Sequence, residues 1–214
     1  MKAIVLGATG LVGKEIVSQL LNNPEIQEVS IFARRTTGVT HSKLKEHIIN
    51  FENINSWSSL IVGDVLFSAL GTTLKAAGDQ KAQYRVDHDY QFEVARAAVK
   101  NGVKSLVVIS STGASAKSPL FYLKMKGELE DHLRELLFAS IYFLRPGPLK
   151  GHREKSRLGE IISTAILGPI PKKFLPKGFI PVDGSQVAKI AIQHGLGGKR
   201  GVHVIEADMI PQSF

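Results

Sequence analysis

The sequence predicts an α/β fold in which helices cover both faces of a parallel sheet, a doubly wound arrangement. Short β-branched runs alternate along the chain with longer helical patterns, as this architecture requires. Two of the runs, Ala3–Leu6 and Leu106–Ile109, are continuously apolar, which is typical of strands buried on both faces. The 214 residues, 43% of them hydrophobic and 21% charged, are sufficient for one globular domain with its own core.

Strands and helices are expected to alternate along the chain. The predicted strands are Lys2–Leu6, Glu28–Ala33, Glu46–Asn50, Val65–Ser68, Ser105–Ser110, Ser140–Leu144, Phe179–Pro181 and Val202–Glu206. The predicted helices are Leu11–Asn22, Gln80–Asn101, Phe121–Leu137, Leu158–Leu167 and Ser185–Gly195. Asn101-Gly102 ends the long central helix, since glycine readily adopts the left-handed conformation. Prolines loosen the pattern beyond Gly147, so residues 145–214 are expected to add a small substrate-side lobe to a single domain of residues 1–214.

The composition excludes several classes of protein. The chain has no cysteine, which rules out disulfide scaffolds, thiol nucleophiles, iron–sulfur clusters and Cys-ligated zinc. The seven histidines are scattered without a metal-binding spacing, so no metal site is predicted. No apolar run approaches the ~18 residues of a membrane helix, and the N-terminal apolar run is too short for a signal peptide. These observations predict a soluble, cytoplasmic protein that does not bind membranes.

The formal net charge of +8 is concentrated between Arg145 and Lys177. Phe174 is the one aromatic side chain between Lys150 and Lys177, whereas proteins that bind single-stranded nucleic acid usually combine charge with stacking platforms. No helix-turn-helix or RNA-binding signature is present. The pattern therefore favours an anion-attracting lobe or a solvated basic face over nucleic-acid binding.

A glycine-rich turn follows the first predicted strand directly. Its sequence is Gly7-Ala8-Thr9-Gly10-Leu11-Val12-Gly13, and a helix begins within it. In dinucleotide-binding, Rossmann-type sheets one glycine makes the tight turn, another lets the backbone approach a pyrophosphate, and the last lets the helix pack on the strand. The N-terminus of the helix offers N–H groups and partial positive charge to the phosphates. We therefore expect the turn to bind a dinucleotide pyrophosphate.

Arg34 and Arg35 follow the second predicted strand. A protein that binds NAD normally places a carboxylate about 20 residues after the glycines, where it binds the ribose 2′-hydroxyl. Here no carboxylate occupies that turn, and two guanidinium groups do. Guanidinium groups bind phosphate bidentately. The sequence therefore predicts a preference for NADP(H) over NAD(H).

A tyrosine and a lysine at helical spacing follow the central strand. Ser110, Ser111 and Thr112 end that strand, at the edge of the sheet where ligands bind in open α/β folds. Tyr122 and Lys126 are four residues apart, so they share one helical face. An ammonium group near a phenol favours the phenolate and lowers the phenol pKa, which suits proton transfer to a substrate oxygen.

Taken together, the glycine turn, the strand-end serines and the Tyr122/Lys126 pair resemble the short-chain dehydrogenase/reductases. The glycine spacing is similar to that of the extended and atypical members. More specifically, the chain resembles the Tat-interacting-protein-like branch of atypical NAD(P)-binding reductases over nearly its whole length. The matching blocks are Leu70–Thr73, Arg85–Tyr90, Tyr122–Glu128 and Leu144–Gly147.

This resemblance implies roles for individual residues. The pyrophosphate would be wrapped by Gly7, Thr9, Gly10, Leu11, Val12 and Gly13. Leu70, Gly71 and Thr72 would line the adenosine and nicotinamide ribose, while Arg34 and Arg35 would take the 2′-phosphate. Ser110 or Ser111 would orient the substrate carbonyl, with Ser111 slightly favoured, and Tyr122 would donate the proton. Lys126 would hold the nicotinamide ribose and tune Tyr122, and Arg145, Pro146 and Gly147 would close over the nicotinamide. The asparagine that supports catalysis in many relatives has no counterpart in this sequence.

Three functions are compatible with these residues. The first is an NADP(H)-dependent oxidoreductase that reduces a small carbonyl compound. The second is an NADP(H)-sensing regulatory protein with little turnover, which would not need the Ser111, Tyr122 and Lys126 set. The third is a nucleotide-sugar epimerase or dehydratase. The long central helix is a candidate surface for a homodimer or a protein partner.

Overall fold

The computed structural model describes residues 1–150 and 181–210. The strands are β1 (Lys2–Leu6), β2 (Glu28–Ala33), β3 (Leu44–Ile48), β4 (Val65–Ser68), β5 (Ser105–Ile109), β6 (Ser140–Arg145), β7 (Leu149–Lys150), β8 (Val182–Asp183) and β9 (Gly201–Glu206). The α-helices are α1 (Leu11–Leu21), α2 (Leu74–Ala77), α3 (Gln80–Tyr84), α4 (Tyr90–Lys100), α5 (Phe121–Arg134) and α6 (Gly184–Leu196). Short 3₁₀ segments occupy Phe51–Ser56, Ser58–Leu60 and Ala207–Met209.

Seven strands form one sheet in the order β3-β2-β1-β4-β5-β6-β9, and every neighbouring pair is parallel. This order reverses between β1 and β4, which creates the crevice at the carboxyl ends of the strands where ligands bind in doubly wound sheets. β7 and β8 form a separate parallel pair. The predicted doubly wound sheet is thus confirmed.

Two apolar layers cover the sheet. On one face α1 and α6 pack on strand side chains that include Val5, Phe67 and Val107. On the other face α4, α5 and the 3₁₀ segment Phe51–Ser56 pack on alternate strand residues such as Ile4 and Val108. Strand side chains alternate between the two faces, so burial on both sides explains the continuously apolar β1 and β5.

The structure differs from the predicted elements at several places. β3 begins and ends two residues earlier than expected, at Leu44 and Ile48. The predicted helix from Gln80 contains a turn of π-helix, Arg85–Asp89, between α3 and α4. β8 lies just after the predicted strand Phe179–Pro181, most of which, like the whole helix Leu158–Leu167, lies outside the described residues. The π-helical turn Arg85–Asp89 adds one residue to a turn of helix. This insertion leaves the apolar spacing nearly intact, so a periodicity argument does not detect it.

Candidate functional site

The turn between β1 and α1 has a backbone that only glycine fits at two positions. Gly7 has φ +85°, and a Cβ there would lie 2.6 Å from the backbone of Ala69 and Leu70. A Cβ on Gly13 would lie 2.1 Å from the carbonyl oxygen of Gly7. The amide of Gly10 donates to that same carbonyl at 2.9 Å. The first and last glycines are therefore fixed by the backbone's own contacts, independently of any ligand.

The N-terminus of α1 opens toward the carboxyl edge of the sheet. Gly10 is the N-cap residue and contributes no side-chain bond, and no acidic residue occupies the first turn. The first N–H groups of an α-helix have no partner within the helix, and they carry partial positive charge. Thr9 is exposed beside this end, Leu11 is half-buried and Val12 is buried. The turn can therefore receive an anionic group such as a pyrophosphate.

Arg34 and Arg35 lie on the same edge as the glycine turn. They follow β2, which pairs with β1 in the register Leu6↔Phe32. Both arginines are exposed, and neither forms an ion pair with a residue that the structure describes. Two guanidinium groups next to a turn that can receive a pyrophosphate are a suitable receptor for a further phosphate.

The loop after β4 is held by a residue in the π-helical turn. The Thr72 amide donates to Oδ1 of Asp87 at 2.5 Å, and Asp87 is fully buried. The Gln83 side chain donates to the Thr72 carbonyl at 3.3 Å. Leu70 and Gly71 lie in this loop, beside Gly7. In the sequence Asp87 is only one residue of the predicted helix Gln80–Asn101, and its position in the block Arg85–Tyr90 is the one signal of a larger role.

The strand-end serines occupy different environments. The hydroxyl of Ser110 donates to Oε1 of Glu130 at 2.5 Å, and both residues are buried. The hydroxyl of Ser111 makes a longer bond of 3.3 Å to the carbonyl of Thr112. The hydrogen bonds between β5 and β6 continue past the end of β5. The Ser110 amide donates to the Leu144 carbonyl, and the Thr112 amide donates to the Pro146 carbonyl. Of the two serines, Ser111 has the hydroxyl that is less firmly engaged by the protein.

Glu130 gathers the charged groups on this side of the sheet. The guanidinium of Arg145 donates to both of its carboxylate oxygens, at 3.0 and 2.7 Å, and Arg134 donates at 3.0 Å. Arg145 also bonds Glu206 at 2.9 Å. Hydrogen bonding to Glu130 raises the pKa of Arg145 above its usual value. Sequence pattern does not single out Glu130, because its partners Ser110 and Arg145 lie at the ends of β5 and β6, 20 and 15 residues away.

Arg145 thus has a different setting from the expected one. Its guanidinium faces two carboxylates of the protein, Glu130 and Glu206, so the structure does not present it as a free group over a nicotinamide. Pro146 and Gly147 follow it and are buried, and the Pro146 carbonyl accepts the Thr112 amide at 3.0 Å. Closure over a cofactor by Pro146 and Gly147 stays a prediction.

Tyr122 and Lys126 occupy the first two turns of α5. Tyr122 is half-buried, whereas Lys126 is only 2% exposed. Lys126 makes no hydrogen bond or ion pair with any residue in the described ranges. The helix approaches the preceding loop so closely that a Cβ on Gly127 would lie 2.1 Å from the Ala116 amide nitrogen. An ammonium group held in this way, four residues from a phenol, is placed to bind a polar ligand.

A second titratable cluster lies between the π-helical turn and α5. His88 bonds Asp89 at 2.8 Å and His132 at 2.8 Å, and its ring stacks on Tyr84. Burial lowers the pKa of His88, and burial together with the Glu128 carboxylate raises the pKa of Tyr84 to about 12. In the part of the chain that the structure describes, no three His, Asp or Glu side chains are arranged to hold a metal ion.

The sheet order, glycine turn and strand-end hydroxyls define the class of protein: an atypical short-chain dehydrogenase/reductase fold, the NAD(P)-binding fold. MoeE5, solved with UDP-glucuronic acid and NAD, superposes with a TM-score of 0.73 at 19% identity, covering 97% of this chain and 76% of that chain. The oxidoreductase ylbE from Lactococcus lactis superposes with a TM-score of 0.59 at 18% identity, covering 72% and 73%.

Within that class the chain belongs to the HIM1 family, whose model matches residues 25–174. The protein FMP52, mitochondrial, of Candida albicans is 38% identical over 93% of this chain and 91% of its own length. Its namesake in Saccharomyces cerevisiae is 36% identical over 97% and 94%.

These relatives correct the expected location. Both are named mitochondrial proteins, as is the relative from Emericella nidulans, so the prediction of a cytoplasmic protein is wrong. That prediction depended on the lack of a recognisable targeting segment, which is weak evidence about the compartment. Across residues 1–150 and 181–210, none of the helices combines the length and the apolar character that a membrane span needs.

Proposed function

We propose that the protein is an NADP(H)-dependent oxidoreductase that reduces a small carbonyl compound, with Tyr122 as the proton donor. The observation that carries this proposal is the convergence of three ligand-binding features at one edge of the sheet. They are the glycine turn, the exposed arginine pair and the Lys126 ammonium, which has no partner within residues 1–150 and 181–210. The first two suit the pyrophosphate and the 2′-phosphate of NADP(H), whereas the third is useful only next to a bound polar group.

The residues present fit a nicotinamide dinucleotide. Any side chain larger than hydrogen at Gly7 or Gly13 would collide with the backbone, so the cradle is formed without side chains. The N-terminus of α1 would hold the pyrophosphate, and Arg34 and Arg35 would hold the 2′-phosphate. Lys126 would hold the nicotinamide ribose. When bound, the nicotinamide supplies the hydride, and the protein supplies position and the proton.

The chain's own residues then complete the reduction. The Ser111 hydroxyl would donate a hydrogen bond to the substrate carbonyl and orient it, since the Ser110 hydroxyl is engaged by Glu130. Tyr122 would give its phenolic proton to the oxygen as negative charge develops there. The neighbouring Lys126 ammonium would stabilise the resulting phenolate. Asp87 would keep the Thr72 loop beside the cofactor through its bond to the Thr72 amide.

The NADP(H) preference is tested by thermal unfolding with NADPH, with NADH and without nucleotide. At a ligand concentration 100-fold above Kd the folded state should gain about 2.7 kcal/mol. We expect NADPH to stabilise the protein more than NADH, and Arg34→Ala/Arg35→Ala to remove that difference. Lys199→Ala/Arg200→Ala is the matched control, because these exposed residues precede β9 at the opposite edge of the sheet. Equal shifts by both nucleotides in the unmodified protein would contradict the preference.

Catalysis is tested by screening carbonyl compounds for NADPH oxidation and repeating the active reaction with Tyr122→Phe. We expect activity to fall by about 10²–10⁴-fold, the usual contribution of a general acid, with NADPH binding retained. Activity that survives the substitution would remove Tyr122 from the mechanism. Tight NADPH binding with no turnover of any carbonyl compound would instead favour the sensing protein, the second candidate. The observation that favours this candidate is the engagement of Ser110 and Arg145 by Glu130.

A further inference from the structure

The loop that follows the arginine pair is tied to the edge strand of the sheet by one carboxylate. Oε2 of Glu46, on β3, accepts the Thr36 hydroxyl at 2.6 Å. Its Oε1 accepts the Thr37 amide at 2.8 Å and the Thr37 hydroxyl at 2.7 Å. The Thr36 hydroxyl also accepts the Gly38 amide at 3.2 Å. Three donors from two consecutive residues therefore converge on a single side chain.

These bonds are of the strong, charge-assisted kind. The hydroxyl of Thr36 and then the amide and hydroxyl of Thr37 hold the pKa of Glu46 below its usual value. The carboxylate is thus ionised at neutral pH, and its hydrogen bonds are shorter and stronger than those between neutral groups. The hydrogen bonds of Glu46 go to the two threonines, and it forms no ion pair with Arg34 or Arg35.

The position of Glu46 along β3 sets the direction of the loop. In the parallel pairing Glu46 lies opposite Ile31, while the strand ends pair Ala33 with Ile48. The carboxylate is therefore two residues back from the carboxyl edge. Tying Thr36 and Thr37 to it turns the chain back along the edge strand immediately after Arg35. Arg34 and Arg35 come before the tied residues and stay at the carboxyl edge, beside the glycine turn.

We propose that Glu46 is a positioning residue for the 2′-phosphate of NADP(H), acting through the Thr36-Thr37 loop. The proposal depends on the function proposed above for Arg34 and Arg35. Without the tie, the two arginines would begin a loop free to swing away from β1, and ordering them around a phosphate would cost conformational entropy. With it, the entropy is lost on folding, and the guanidinium groups are arranged before the nucleotide arrives. Glu46 therefore sets the choice between NADP(H) and NAD(H) without touching either.

The test compares Kd for NADPH and for NADH in Glu46→Gln, by calorimetry or by quenching of Trp57 fluorescence. The amide keeps the size of the side chain but loses the charge and one acceptor. We expect Kd for NADPH to rise about tenfold, equivalent to about 1.4 kcal/mol, with Kd for NADH unchanged. If Glu46 served only folding, Glu46→Gln would weaken the binding of NADPH and of NADH by the same factor. The ratio of the two Kd values is therefore the diagnostic quantity.

Glu28→Gln is the matched control. Glu28 is also a strand carboxylate with a lowered pKa and a short bond, 2.6 Å to Lys45, but it lies at the amino end of β2. It should leave the ratio of Kd values unchanged. Thr36→Ala/Thr37→Ala removes the two hydroxyl donors from the other side of the tie and keeps the Thr37 amide. It should change the ratio of Kd values in the same direction as Glu46→Gln, which keeps the proposal testable if one variant fails to fold.

The outcomes separate this proposal from the one it depends on. If Arg34→Ala/Arg35→Ala leaves the ratio of Kd values unchanged, the 2′-phosphate site itself is wrong. If the arginine variant lowers the preference for NADPH but the Glu46 and threonine variants do not, the arginines bind without help from Glu46, and the positioning role is overturned. A gain in NADPH affinity in Glu46→Gln would also overturn it, since it would show that the carboxylate repels the phosphate.

Discussion

The two halves of the carboxyl edge are built by opposite means. On the β1–β2 side the site is formed by the absence of side chains, because Gly7 and Gly13 let the backbone fold against itself. On the β5–β6 side it is formed by buried charge, with Glu130 bonded to Ser110, Arg134 and Arg145. The first arrangement is local in sequence and needs no partner. The second joins residues as much as 61 positions apart, Arg145 and Glu206, so its stability depends on every member.

Removing Glu130 should have the largest effect on stability. In Glu130→Ala the Ser110 hydroxyl and two guanidinium groups lose a buried carboxylate. Breaking a buried ion pair costs about 3–5 kcal/mol, and we expect about 3 kcal/mol here because Arg145 keeps Glu206. Denaturant unfolding measures the loss. Asp131→Ala is the control, since the exposed Asp131 also pairs with Arg134 and should cost below about 1 kcal/mol. Equal losses in both variants would refute the importance of burial.

Substitutions on the glycine side should instead destabilise the protein by steric crowding. In Gly13→Ala the new methyl group would lie 2.1 Å from the Gly7 carbonyl, so the backbone must move. We expect a loss of about 2 kcal/mol together with loss of stabilisation by NADPH. Gly10→Ala is the comparison, because its methyl group would lie 3.3 Å from the same oxygen and should cost less. If Gly10→Ala proves as damaging as Gly13→Ala in the absence of nucleotide, crowding is not the cause.

The same contrast explains which parts of the site the sequence predicted. The glycine turn and the arginine pair lie next to predicted strands, and a spacing argument reaches them directly. On α5, Lys126 and Glu130 are four residues apart, a spacing that favours an ion pair. The structure instead directs Glu130 to Ser110, Arg134 and Arg145 and leaves Lys126 unpaired within the described residues. Choosing between these partners requires the positions of β5 and β6, which local pattern does not contain.

Substitution of Lys126 should change the free energy of unfolding by a smaller amount and in the opposite direction. The Lys126 residue is 2% exposed and has no partner within residues 1–150 and 181–210, and burying an ammonium group without a partner is unfavourable. Lys126→Met should therefore raise the free energy of unfolding by about 1 kcal/mol without nucleotide, and it should weaken NADPH binding. Lys124→Met is the control, since Lys124 lies two residues earlier, is exposed and sits 3.8 Å from Glu128. A Lys126→Met protein that is less stable would show that the ammonium is satisfied by the protein.

The smallest expected effect is a dependence of stability on pH that comes from the α5 side. Burial lowers the pKa of His88 below 6.5; the neighbouring His132 acts in the same direction, while Asp89 and Glu128 oppose it. In the unfolded chain the imidazole takes up a proton near pH 6.5, whereas in the folded protein it stays neutral to lower pH. The unfolded state therefore binds more protons in this window, and the free energy of unfolding falls as the pH drops below about 6.5.

Substitution at His88 isolates this contribution from other titrating groups. His88→Phe removes the titration but keeps a ring that can stack on Tyr84 and Phe92. We expect the His88→Phe protein to lose less stability between pH 7 and pH 5.5 than the unmodified protein, as measured by thermal unfolding. An unaltered slope in His88→Phe would place the titrating group elsewhere. The cluster links the π-helical turn, which holds Thr72, to α5, which carries Tyr122. Bound NADPH should therefore reduce the dependence of the unfolding free energy on pH only if the two halves of the edge are coupled.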